Sequence, residues 1–333
     1  MPGIDDDLFP QGIKPADPSQ VPTTLKEPAM EAGQPPASRA AVKEDPSDVA
    51  VASLELETRL QQDESKKQQL GPARQFAGVP MAPIRTIEVF NTNTLLYGRP
   101  GSGKTFLTAT AQLSKHMAPM MYVSCEAGSS TIRQVSADIM ILPDPTVAGS
   151  VTWEQFEAIY DELDRQCYNT KDGPEFRTVA VDTGTELQKI NMEWVMKQTL
   201  AAHPDRDPDV PGLHDWGKSS NRMRTVIRRF RDLPMNFIFV CHEQEDRDNR
   251  GLLWKKPDLP GKLTNQAAAF FDQVMYLYTK QVSEGDETSA SNIKRVLMTG
   301  ALEGYVTKDR SGKLPLLMVD PSMDKIFSLI TGS

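Results

Sequence analysis

Gly98, Gly103, Lys104 and Thr105 stand in the order G-x-x-x-x-G-K-[ST] within "YGRPGSGKTFL", and that spacing points to one kind of chemistry. Glycines let backbone N–H groups turn inward around phosphate oxygens, a lysine at this offset reaches the β and γ phosphates, and the hydroxyl after it binds Mg²⁺. Gly98, Arg99, Pro100, Gly101, Ser102, Gly103, Lys104 and Thr105 are therefore the candidate contacts of a nucleoside triphosphate, taken as ATP with Mg²⁺. A chance match somewhere in 333 residues has a probability of roughly one in a hundred. Asp182, closing the apolar run "FRTVAVD", places a carboxylate at the end of a buried strand, where it supports the metal together with Thr105. Hydrolysis also needs a group that orients or deprotonates the attacking water. Glu126, ending "MMYVSCE", is the candidate, because it stands between the phosphate loop and the Asp182 strand; a solvated loop residue is the alternative.

These residues need strands to carry them and helices to cover the strands. The runs "NTLLY", "PMMYVSC", "RTVAVD", "NFIFVCH", "QVMYLYT" and "IKRVLMTG" read as strands, separated by amphipathic segments at 105–117, 153–168, 185–201 and 218–232. Strands apolar throughout and alternating with helices imply an α/β fold, a mostly parallel sheet covered on both faces. A strand enters the phosphate loop and a helix leaves it, as the chemistry requires. No internal repeat is visible.

The first 80 residues have another texture. They hold 13 Asp and Glu against 8 Lys and Arg, 11 of the 25 prolines, and two of the 23 aromatics, Phe9 and Phe76. Such a stretch cannot bury enough apolar surface to offset the entropy of ordering, so 1–80 is expected to be a disordered acidic, Pro-rich tail and 81–333 the folded domain. Within the tail, Ser47 could cap a short helix carrying Val51, Leu54 and Leu60, and "DDDLF" could dock on a basic, apolar pocket of a partner; composition favours a solvated acidic tail. The net charge of −8 argues against a surface that coats nucleic acid as a whole, though not against a local basic groove. Cys125, Cys167 and Cys241 form no C-x-x-C pair and read as reduced thiols. With no apolar run of about 20 residues and no signal-peptide start, a cytoplasmic protein without membrane contact is expected.

The order of phosphate loop, strand plus Glu, strand plus Asp, then a strand ending in a polar residue resembles the core of RecA-type recombinases. More closely it resembles the small RecA-like annealing recombinases and nucleotide-binding proteins of bacteriophages. The likeness covers about residues 90–318 and rests on "GRPGSGKT", "VDTGTEL", "HDWG", "LPMNFIFVCHEQED", "PDLPGK", "FFDQVMYL" and "VTKDRSGKLP". AAA+ proteins differ, since their catalytic Glu directly follows the strand-terminal Asp. The resemblance implies a RecA-like P-loop core with a C-terminal hairpin, Glu126 as catalytic carboxylate and His242 as the γ-phosphate sensor leading into a DNA-binding loop. A capped strand end is the alternative for His242. It further implies that Lys308 and Arg310 reach the ATP of a neighbouring subunit in a ring or filament. Otherwise they are exposed hairpin charges.

Two loops follow these strands. "AAHPDRDPDVPGLHDWG" offers Trp216 as a stacking ring. "EQEDRDNRGLLWKKPDLPGKLT" holds Arg247, Arg250, Trp254, Lys255, Lys256 and Lys262, cations beside an aromatic that suit single-stranded DNA; the alternative is a mobile charged loop. Arg222, Arg224, Arg228, Arg229 and Arg231 read as a solvated helix face or a subunit contact. The leading expectation is an ATPase, stimulated by single-stranded DNA, that acts as a phage recombinase in annealing or strand pairing in the host cytoplasm, with a replication or single-strand-binding protein as the tail's partner. The alternatives are a ring motor or loader ATPase of replication or packaging, and a nucleotide-gated binding module with little turnover.

Overall fold

The computed structural model describes residues 74–76, 79–81, 91–126, 129–170, 173–247, 251–281 and 293–332. The chain divides into two compact units, the smaller covering Phe9–Glu88 and the larger taking in Val89–Ser333. In the smaller, β1 (Arg74–Phe76) pairs antiparallel with β2 (Val79–Met81). Residues 74–76 and 79–80, expected to belong to the disordered tail, are thus paired as strands; the remainder of the acidic tail, the helix after Ser47 and "DDDLF" lie outside the described residues.

The larger unit is built on one sheet. Its elements run β3 (Asn93–Gly98), α1 (Lys104–Ala109), β4 (Met120–Ser124), α2 (Ser129–Val135), β5 (Met140–Leu142), α3 (Trp153–Asn169), β6 (Thr178–Asp182), α4 (Gly184–Ala202), α5 (Leu213–Asp232), β7 (Asn236–Arg247), β8 (Leu253–Pro257), α6 (Leu263–Phe270), β9 (Gln273–Gln281), β10 (Ile293–Met298), β11 (Lys308–Asp309), β12 (Leu317–Val319) and α7 (Met323–Thr331). Strand order is β12-β10-β9-β3-β7-β6-β4-β5, with β8 on β7 and β11 on β9. The links from β9 through β3, β7, β6 and β4 to β5 are all parallel, whereas β10, β11, β12 and β8 pair antiparallel. The fold is thus α/β with a mostly parallel sheet, and β7 separates the phosphate-loop strand from the strand ending in Asp182.

Alternation along β7 shows how both faces are covered. Ile238 and Val240 join Leu107 of α1, Ile132 of α2 and Phe327 of α7 on one face. On the other, Phe237 stacks on Phe230 of α5 at 5.5 Å, and Phe230 on Phe156 of α3 at 5.0 Å. Each buried Phe contributes roughly 1.5–3 kcal/mol. Gly184 begins α4 where it presses on Phe239; a Cβ there would lie 2.1 Å from the ring, so only glycine allows the approach. The helix expected over 105–117 ends earlier, at Ala109, and continues as a 3-10 turn over Thr110–Leu113. The hydroxyl of Thr110 donates to the Leu107 carbonyl at 2.6 Å and accepts the Met323 amide at 2.9 Å, so the first turn of α7 engages the position where α1 gives way.

Candidate nucleotide site

The parallel strands β3, β4 and β6 end together beside His242 of β7, and the candidate residues sit there. β3 feeds the loop, in which Gly101 (φ 78°) and Gly103 (φ 94°) adopt left-handed backbone open only to glycine without strain. Lys104 opens α1 and is buried, its Nζ donating to the carbonyls of Gly98 and Arg99, both at 2.9 Å. Burial lowers its pKa, against the pull of Asp182 and Glu126. The Ser102 hydroxyl is buried without a partner.

Asp182 ends β6 and the chain leaves it through a cis Asp182–Thr183 peptide. Its Oδ2 accepts from the Thr105 hydroxyl at 2.7 Å and from the Tyr122 hydroxyl, which β4 supplies. Its Oδ1 has no partner although the residue is 2 % exposed. Burial pushes the carboxyl up, and the two hydroxyls hold it down. A buried carboxylate oxygen left unpaired beside a threonine hydroxyl is a donor set suited to a hard divalent cation. The residues present therefore fit Mg²⁺, with Asp182 and Thr105 to hold it.

Glu126 follows β4. Its Oε2 lies 3.3 Å from Nε2 of His242 on β7, and that hydrogen bond holds the carboxyl below the usual range, so it is ionised at neutral pH. The His242 amide donates to the Thr185 hydroxyl at 3.1 Å. Ligand atoms of Glu126, Glu186 and His242 all fall within 4.8 Å of one another. The phosphate loop, Asp182 and Glu126 are thus brought together at one end of the sheet.

A family model for the AAA domain matches residues 91–311. The chain belongs to this AAA domain family. No curated protein matches it in sequence. Among solved structures it is similar to the flagellar accessory protein FlaH from Methanocaldococcus jannaschii, with 10% identity over 70% of this chain and 89% of that one and a TM-score of 0.32. It is also similar to the RadB recombinase, with 14% identity over 62% and 79% and a TM-score of 0.33. A DnaB-like replicative helicase matches at 14% identity over 69% of this chain, with a TM-score of 0.36; the match spans about half of the helicase, 55%.

In this AAA domain the second expected loop is a β-hairpin. Residues Glu243–Arg247 of β7 pair with Leu253–Pro257 of β8, with Glu245 opposite Lys255. The cations expected to be free for phosphate are already engaged. Lys255 lies 3.7 Å from Glu243 and 3.5 Å from Glu245, Lys256 is 2.6 Å from Asp246, and Arg247 donates to the Gly251 carbonyl at 3.0 Å. Trp254 is partly exposed and Lys262 exposed; Arg250 lies outside the described residues. The physical reason is the acids Glu243, Glu245 and Asp246 on β7, which antiparallel pairing sets beside the β8 lysines, Glu245 directly opposite Lys255 and Asp246 diagonal to Lys256. Arg99 of the phosphate loop joins them, 2.8 Å from Glu243 and 3.1 Å from Glu245.

Trp216 belongs to the first turns of α5 and not to a loop, and it is exposed. Its neighbour Asp215 is fully buried and ties the preceding segment down through Thr199, Arg206 and Gly212. Lys308 and Arg310 lie at the opposite end of β9 from the phosphate loop, since Lys308 pairs with Val274. Lys308 donates to the carbonyls of Ala268, Ala269 and Phe271 at the end of α6, and Arg310 pairs with Asp272 at 2.6 Å. They do not join this chain's own site. The α5 arginines cover aromatic rings, with Arg222 at 4.0 Å over Trp194 and Arg229 at 4.5 Å over Tyr160. Sequence reasoning missed Tyr122, Glu186 and the carboxylates opposite Arg99. Among the described residues, no helix is long and apolar enough to cross a membrane.

Proposed function

We propose that this AAA domain binds and hydrolyses ATP and that turnover acts on single-stranded DNA, in the manner of a phage recombinase promoting annealing or strand pairing. The observation that carries the reading is the contact between Glu126 and His242, because His242 belongs to the strand that runs on into the β7–β8 hairpin. Glu126 accepts a proton from the water that attacks the γ phosphorus, while the bond to the β-phosphate oxygen breaks. Lys104 neutralises charge on the transferring group. Thr105 and Asp182 would hold Mg²⁺, which would supply further neutralisation of phosphate charge. Loss of the γ-phosphate changes what Glu126 and His242 face, and β7 carries that change to Trp254 and the hairpin lysines. Self-assembly adds Lys308 and Arg310 to a neighbour's site once they leave their present partners.

The test is phosphate release from Mg·ATP with and without single-stranded DNA. Stimulation by DNA, lost in Lys104→Ala, is expected; no stimulation together with no salt-sensitive DNA binding would overturn the DNA reading. A second reading, a ring motor, loader or nucleotide-gated module whose hairpin meets protein, is favoured by one observation: Lys255 and Lys256 are already paired with carboxylates. Electron microscopy separates the two, since closed rings support the second and DNA-length filaments the first.

A further inference from the structure

We infer that Arg295 and Phe106 form the seat of the nucleoside base, a stacking platform that holds a base by its face and tolerates either purine. The inference rests on the nucleotide reading of the phosphate loop and adds where the other end of the ligand lies. Strand order supplies the direction. The groups that act on the terminal phosphate, Asp182 on β6, Glu126 after β4 and His242 on β7, all come from the β7 side of β3. A triphosphate laid across the loop with its terminal group toward Glu126 directs its nucleoside to the other side, that of β9 and β10.

Arg295 of β10 stands there. Its guanidinium lies 4.5 Å above the ring of Phe106, the residue that follows Thr105. It also borders the loop itself: a Cβ on Gly103 would meet Arg295 Nε at 2.6 Å. Both side chains are partly exposed. Asp320 is the nearby carboxylate, yet it accepts from the Arg295 backbone amide at 3.3 Å and pairs with Lys294 at 3.3 Å. Among the described residues the guanidinium therefore makes no ion pair. This sets it apart from Arg222, which also covers a ring but pairs with Glu157 at 3.4 Å. Backbone bonds on both sides, including the Asp320 amide to the Arg295 carbonyl at 2.8 Å, fix the strand beneath the side chain. A planar cation on an aromatic ring is a surface on which a base stacks, and stacking tolerates different bases because every base has a π-face.

The experiment compares equilibrium binding of ATP, GTP and inorganic tripolyphosphate to the full chain with Mg²⁺, in wild type and in Arg295→Ala, Arg295→Lys, Phe106→Ala and Phe106→Leu. The expected result is that wild type binds ATP and GTP within a few-fold of each other and both more tightly than tripolyphosphate. Arg295→Ala and Phe106→Ala then lose roughly tenfold in ATP affinity with tripolyphosphate affinity unchanged. Arg295→Lys should resemble Arg295→Ala, because lysine keeps the charge and loses the plane. Phe106→Leu, which retains apolar bulk, keeps the fold and still loses the stacking gain. If Arg295→Ala weakens tripolyphosphate as much as ATP, or Arg295→Lys restores binding, Arg295 is a phosphate contact and the platform is overturned. Unchanged ATP affinity in all four variants overturns the platform alone, whereas a wild type that binds none of the three ligands overturns the nucleotide reading beneath it.

Discussion

Two buried aspartates in this domain are treated in opposite ways. Asp215, fully buried in α5, has both oxygens taken: Oδ1 by the Thr199 hydroxyl at 2.9 Å and Arg206 at 3.4 Å, Oδ2 by Arg206 at 2.6 Å and the Gly212 amide at 2.9 Å. The Arg206 guanidinium, first among these, brings its pKa down to about 2. Asp182, almost as buried, receives two hydroxyls on one oxygen and nothing on the other, and burial pushes its carboxyl up. Lys104, whose charge acts on it, turns to backbone carbonyls instead. A carboxylate that serves the fold carries its own counter-cation. Asp182 is left short of a partner, at a cost to the fold, as a carboxylate kept for a bound cation would be.

The sharpest way to break this contrast is to replace each charge. Lys104→Ala should abolish phosphate release, and Asp182→Asn should lower it by roughly 10²–10³-fold, while its melting temperature stays unchanged or rises because an uncompensated buried charge is gone. Glu126→Gln should lower turnover by about 10²–10⁴-fold and leave ATP binding intact in a binding assay. Asp215→Asn should do the reverse of Asp182→Asn. It strands Arg206 and costs about 3 kcal/mol in denaturant unfolding, with turnover per folded molecule retained. The opposite pattern, a destabilised Asp182→Asn and a stable Asp215→Asn, would erase the distinction.

Acid should separate the two sites further. Because the folded pKa of Asp215 lies below its unfolded value near 4, its contribution to stability is complete above pH ~4 and is lost as pH falls toward about 2. Unfolding curves measured down that range should steepen in wild type and flatten in Asp215→Asn. The smallest effect belongs to Tyr122→Phe, which removes one donor from Asp182 and should change Mg·ATP affinity by a factor of about ten or less.

Much of the site was legible because its parts are local. The loop at 98–105 names its own ligand class, and Asp182 and Glu126 stand out because each directly ends or follows an apolar run. The hairpin was not, since Glu245 and Lys255 face one another only through a strand pairing that the cation-rich stretch does not announce. Tyr122 and Arg295 were hidden in the same way: each sits in a strand read for its apolar residues, and each acts across the sheet. α7 escaped notice although Ser322 caps it, its side chain accepting from the Lys325 amide at 3.2 Å. The break in the helix after Ala109 depends on Thr110 meeting Met323, 213 residues away. Positions whose role is set by a distant partner carry no local signature.

The most direct measurement of the central claim is the Mg²⁺ dependence of ATP hydrolysis in wild type, Asp182→Asn and Asp215→Asn, each checked for folding by its melting curve. The expected result is Mg²⁺-dependent phosphate release in wild type and Asp215→Asn, and almost none in a well-folded Asp182→Asn. Equal Mg²⁺-dependent turnover in a folded Asp182→Asn would contradict the account of the site.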